Sequence, residues 1–169
     1  MDQSIENKSN FKNKIINFYN YNKVKSHVIA FASMLFLILF IFIKNNNEKK
    51  NIYIAEKYVE AGLLLNSNKK EDAKIIYDEI IASNNKFYSI LALNTIIEKE
   101  LINDKNKIEE YFNILEAIDL SKENIDLINF KKALYFINND KLKKGNELLK
   151  KLLANNSNFK ELIAEILEN

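Results

Sequence analysis

The chain offers little for bond-making chemistry. Its one histidine, His27, stands beside Lys25 at the edge of a long apolar run, with no second imidazole to share a metal or a proton relay. We read it as an interfacial structural residue. Cysteine is absent, which removes thiolate nucleophiles, thiolate metal sites and disulfides together. Carboxylates cluster at Glu71-Asp72, Asp78-Glu79 and Glu109-Glu110, each near lysines at helical spacing, as in Lys74 with Asp78. That spacing predicts solvated helix faces rather than a paired acid and base. The two glycines, Gly62 and Gly145, are far apart and inside helical stretches, so no phosphate-cradling loop is present and helix packing is their expected role. A Ser-Lys pair is the one nucleophile arrangement left. The chain is therefore expected to be no enzyme and to need no cofactor or metal.

The elements behind these residues begin with VIAFASMLFLILFIFI, Val28 to Ile43, a run without charge whose only polar side chain is Ser33. Sixteen residues make about 24 Å of helix, and including Lys25 to His27, Lys44 and Asn45 extends it to about 31 Å, enough for the hydrocarbon core if the lysines snorkel. The run ends in Ile-Phe-Ile-Lys-Asn without small residues for a cleavage site, so an uncleaved anchor is predicted rather than a signal peptide or a buried core helix. The chain then divides into a lysine-rich head (1–25), with the apolar residues between Phe11 and Tyr21 suited either to the membrane interface or to a flexible tail, a transmembrane helix (26–44), a polar linker (45–50) and a helical domain (51–169). A short head holding Lys8, Lys12, Lys14, Lys23 and Lys25 without acids over 7–27 predicts a cytoplasmic N-terminus and a domain on the far side.

Lysine supplies all the positive charge, 25 residues against 23 acids, so a net charge of +2 nominates neither nucleic acid nor an acidic substrate. Proline and tryptophan are absent and asparagine is frequent, a bias that looks genomic and carries little functional weight.

From 51 onward Ile, Leu, Phe and Tyr recur three and four apart, broken by Asn, Asp, Ser and Lys clusters. The pattern predicts helices near 51–66, 70–83, 86–101, 105–117, 122–138, 141–154 and 158–168, with Asn51, Asn68, Ser121 and Asn158 as N-caps. Connections of two to five residues predict antiparallel neighbours. An internal echo lies over this pattern. At an offset of 72, twice 36, Ala61 falls on Ala133, Ala73 on Gly145, Tyr77 on Leu149 and Ile80 on Leu152. Each pair of small residues, twelve apart, lets two helices cross closely, and the large residue four later fills the gap to the next pair. The middle unit, near Ala92 and Phe112, fits this scheme loosely.

With Ala73-Lys74-Ile75-Ile76-Tyr77-Asp78-Glu79-Ile80 as its best segment, the sequence resembles the tetratricopeptide repeat superfamily. The predicted fold class is thus all-α, one transmembrane helix followed by an α-solenoid of about three degenerate helix pairs and a C-terminal capping helix. The whole layout resembles the bacterial single-span repeat proteins typified by the ancillary subunit of the Sec translocon. That resemblance implies an inner-membrane protein with a periplasmic repeat domain, engaging translocon subunits or periplasmic chaperones. It also implies a groove lined by the first helix of each unit, which singles out Tyr58, Tyr88 and Tyr135 as possible partner contacts. Other functions left open are a coordinator of cell-envelope assembly and a purely structural self-associating protein, although Ala30, Ala32 and Ser33 supply no pair of small residues four apart.

Overall fold

The structure is a computed structural model and describes residues 12–14, 16–19 and 21–168. Every regular element among them is helical. The main helices are α1 (Lys23–Asn66), α2 (Lys70–Ala82), α3 (Tyr88–Glu98), α4 (Lys105–Glu116), α5 (Lys122–Asn138), α6 (Leu142–Ala154) and α7 (Lys160–Glu168). The chain divides into two compact units, Met1–Lys50 and Asn51–Asn169.

In the first unit the most apolar window of α1 is not buried at all, and the helix is long and apolar enough to cross a membrane. The alternative of a core helix fails on that exposure, since even Phe36 and Phe42 are 70% and 69% exposed. Ahead of α1, residues 12–14 and 16–19 are helical and Ile16, Phe18, Tyr19 and Tyr21 are exposed, while Phe11 and Ile15 lie outside the described residues. His27 is not without company. The Tyr19 ring stands edge-on to it at 5.9 Å, with the phenol 3.4 Å from Nε2.

The polar stretch 45–50, expected to be a linker, is helical and belongs to α1. It holds no proline or glycine, and Glu48, Lys49 and Lys50 are good helix formers, so nothing in it stops the helix. For the same reason Asn51 is an interior residue of α1 rather than an N-cap.

In the second unit consecutive helices pack on one another through α2, α3, α4, α5, α6 and α7, and the end of α1 joins through side chains. Tyr58 of α1 touches Tyr77 of α2 and Tyr88 of α3, both with ring centroids 5.7 Å apart, and shares a 3.2 Å hydrogen bond with Thr95. The apolar residues form two cores. A cluster of eighteen buried residues runs from Ile54 to Ile128, and a cluster of five comprises Phe130, Ala133, Leu149, Leu152 and Ile163. Helix α5 serves both, presenting Ile128 and Tyr135 to one and Phe130, Ala133 and Leu134 to the other, which is why its apolar residues are not confined to a single stripe.

Ser121 caps α5 by accepting from the Asn124 N–H, as expected. The other two expected caps act differently. Asn68 follows α1 in the left-handed region (φ 58°), and α7 starts at Lys160, past Asn158. Asp104 is a cap that was not foreseen, accepting from the N–H groups of Asn106 and Lys107, and Asn85 Oδ1 accepts from those of Phe87 and Tyr88 in the turn that leads into α3. Two residues past the ends of α1, α2, α3, α5 and α6, the chain turns left-handed at Asn68, Asn84, Glu100, Asp140 and Asn156. Four of these turns close with a backbone hydrogen bond spanning five residues, such as Leu101 N–H to Ile96 C=O at 3.0 Å. Asparagine, read from sequence as compositional background, thus occupies three of the five positions where glycine is the usual solution.

Candidate protein-binding cleft

Helices α3 and α5 both pack on α4, and a cleft of about 730 Å³ opens where their ends meet the 99–104 turn. Local structure fixes that turn from both sides. Glu100 takes the left-handed conformation (φ 50°), Leu101 is buried behind it, and Asp104 starts α4 three residues later. One wall comes from α3, with Asn94, Ile97 and Glu98, and the other from α5, with Lys131, Leu134, Tyr135 and Asn138. The turn adds Glu100, Ile102 and Asn103, and α4 adds Lys105 and the buried Ile108.

The wall residues recur at three, four and seven, so each wall is one stripe of a helix. Tyr135 is held by packing, its ring 5.8 Å from Phe112, and burial, followed by the nearby Glu109 and Asp104 carboxylates, pushes its phenol above the ordinary tyrosine value. It therefore works as a neutral hydrogen-bonding tip at neutral pH. Glu98 is paired with Lys99 at 3.2 Å, and Asn139 donates to the Tyr135 carbonyl. The side chains of Asn94, Asn103, Asn138, Glu100, Lys105 and Lys131 form no hydrogen bond or ion pair among the described residues. Such a lining can hold amide groups and a charge in place. Among the described residues no three His, Cys, Asp or Glu side chains group to hold a metal ion.

The three tyrosines singled out from sequence do not share one site. Tyr58 and Tyr88 meet each other, and Tyr88 lines a separate apolar groove of about 420 Å³ with Ala55, Val59 and Leu63 of α1. Only Tyr135 lies in the larger cleft. All three are half-buried against the large core. The packing residues Ala61, Ala73, Tyr77, Ala133, Gly145 and Leu149 are all buried, as are Ala92 and Phe112 of the middle pair. A Cβ on Gly145 would sit 2.8 Å from the Ala133 carbonyl oxygen, so that crossing needs glycine. Gly62 departs from the packing role expected of it, for a Cβ there would meet nothing within 4 Å.

The carboxylate clusters lie on solvated faces as expected at Glu71, Asp72, Glu79 and Glu110, but Asp78 and Glu109 are half-buried. Lys74 pairs with Glu71 rather than Asp78, and Asp78 accepts a short hydrogen bond from Tyr111, whose phenol is pushed well above its ordinary value, first by burial and then by that carboxylate. Glu109 pairs with Lys141 and Glu116 with Lys132, so these acids tie α4 to the hairpin that follows. Asn94, Ile97, Lys131, Leu134 and Asn138 were not found from sequence. Their stripe spacing was the available signal, but it identifies a helix face and not which face opens on a cleft.

No protein-family model, curated protein or solved structure matches the chain.

Proposed function

We propose that the protein is a non-enzymatic, membrane-anchored interaction module whose cleft between α3 and α5 holds an extended segment of a partner protein. The observation that carries this reading is the lining, unpaired side-chain amides on two facing helices above an apolar floor. A peptide backbone presents N–H and C=O groups that such amides satisfy, while Ile97, Leu134 and Ile108 receive apolar side chains. The exposed apolar run of α1 supports anchoring in a bacterial inner membrane, and the lysine-rich stretch 7–27, free of acids, supports a cytoplasmic N-terminus with the helical domain in the periplasm. A tether raises the local concentration of the cleft near membrane complexes and compensates for weak pairwise affinity.

Burial of both members of each echo pair, Ala61 with Ala133, Tyr77 with Leu149 and Ile80 with Leu152, supports reading the helix pairs as degenerate tetratricopeptide-like repeats. On that reading the first partners to test are translocon subunits and periplasmic chaperones. A photo-reactive amino acid placed at Leu134 in the full-length protein, in native membranes, should form adducts with another protein that the same probe at exposed Lys86 does not. Recovery of self-adducts alone would replace the module with a structural oligomer.

A further inference from the structure

The near-neutral net charge of the whole chain conceals a segregation. Four lysines, Lys143, Lys144, Lys150 and Lys151, lie exposed on the thirteen residues of α6 against one carboxylate, Glu147. Three neighbouring lysines, unlike Lys131, are committed within the fold: Lys122 to Asp126, Lys132 to Glu116 and Lys141 to Glu109. Lys143, Lys150 and Lys151 form no ion pair or hydrogen bond among the described residues, and Lys144 stands 5.6 Å over the Phe136 ring. On the same helix Leu142 and Leu153 are 58% and 40% exposed. They are eleven residues apart, about three turns, and so fall on one stripe, with Lys143 and Lys150 on the adjoining one. Gly145, Leu149 and Leu152, which pack into the small core, border the leucine stripe on its other side, and Lys144 and Lys151 lie across the helix from it.

We infer that the outer face of α6 docks on an anionic lipid surface. Lysines on flexible stems beside exposed leucines are the combination that rests at a headgroup boundary, the ammonium groups on phosphates and the leucines reaching the acyl region. An acidic protein segment would satisfy the charges, but the leucine stripe and a helix in the same chain able to cross a bilayer favour lipid. The inference rests on the proposed membrane anchoring.

The full-length protein, reconstituted in vesicles of phosphatidylcholine alone or mixed with phosphatidylglycerol, would be treated with a membrane-permeant amine reagent and each lysine quantified by mass spectrometry. Lys143 and Lys150 should lose reactivity several-fold in the anionic vesicles, relative to Lys74 and to Lys151 across the helix, and regain it at high salt. Each lysine removed should weaken docking about fivefold, so K143Q should return Lys150 most of the way to its reactivity in neutral vesicles. Equal reactivity in the two vesicles, or protection that appears only when an acidic protein is added, overturns the inference. Flotation with the neutral vesicles reads the anchor separately: failure to float would defeat the membrane span, whereas floating with an unprotected α6 defeats only the lipid contact.

Discussion

The helix pairs α1/α2 and α5/α6 occupy equivalent places in the internal echo, yet they solve the same crossing differently. In the first, Ala61 and Ala73 are fully buried in the large core and the helices touch through long side chains such as Tyr58 and Tyr77; in the second Ala133 faces Gly145, and no Cβ fits at Gly145 without displacing the Ala133 carbonyl or Ile137. The first pair feeds a core of eighteen residues and includes tyrosines that hydrogen-bond across helices. The second feeds a core of five and is closed by Ile163 of α7. The echo thus sets where small residues must stand, while the depth of the surrounding core decides how closely the backbones approach and how much each side chain matters.

The sharpest way to break this comparison is Leu149→Ala. Leu149 is fully buried in the five-residue core, and its truncation should cost about 2–5 kcal/mol. Denaturant melts of the full chain in detergent, followed by far-UV circular dichroism, would measure it, and a loss under 1 kcal/mol would show that the small core is not what holds α6. Next comes Gly145→Ala, expected to destabilise by about 1–3 kcal/mol through overpacking, despite alanine's better helix propensity. Neutrality there would mean that α5 and α6 separate at little cost.

Tyr111→Phe tests the polar link between α2 and α4. It deprives half-buried Asp78 of its donor and should cost about 1.5 kcal/mol. Because the folded-state value of Tyr111 is raised above its ordinary 10.0, the stability it contributes is present below that pH and is lost as pH rises above it. Wild type should therefore lose stability more steeply than Tyr111→Phe in alkaline melts, and parallel curves would refute the link. The smallest effect has the opposite sign. Gly62→Ala, in a helix and facing open space, should stabilise by about 0.5–1 kcal/mol, so the two glycines of the chain should answer the same substitution in opposite directions.

Much of this architecture was legible because each helix carries its own three-and-four spacing and ends where polar clusters interrupt it. Six of the seven expected helices lie within three residues of the observed ones, and the first differs because α1 begins far earlier. What sequence could not separate was the two uses of asparagine. A side-chain amide that caps a helix start also tolerates the left-handed turn after a helix end, so Asn68 was assigned to the wrong terminus. The contacts that set the helices on one another were hidden for another reason. Tyr111 with Asp78, Lys141 with Glu109 and Phe112 with Tyr135 join residues more than twenty apart, on different helices, and each looks like an ordinary helix-face residue when only its own helix is read.

Division of the apolar interior at α5 also governs the order in which the domain opens. Each helix rests on its chain neighbours, so the fold can come apart by stages from an end rather than all at once. Helices α6 and α7, closed over only five buried residues, are the first stage, and their amide protons should exchange through local opening while those around Tyr77 and Leu115 wait for global unfolding. The α6–α7 end that bears the free lysines is therefore also the part of the domain that can reshape itself against a surface without releasing the packing of α3 on α4.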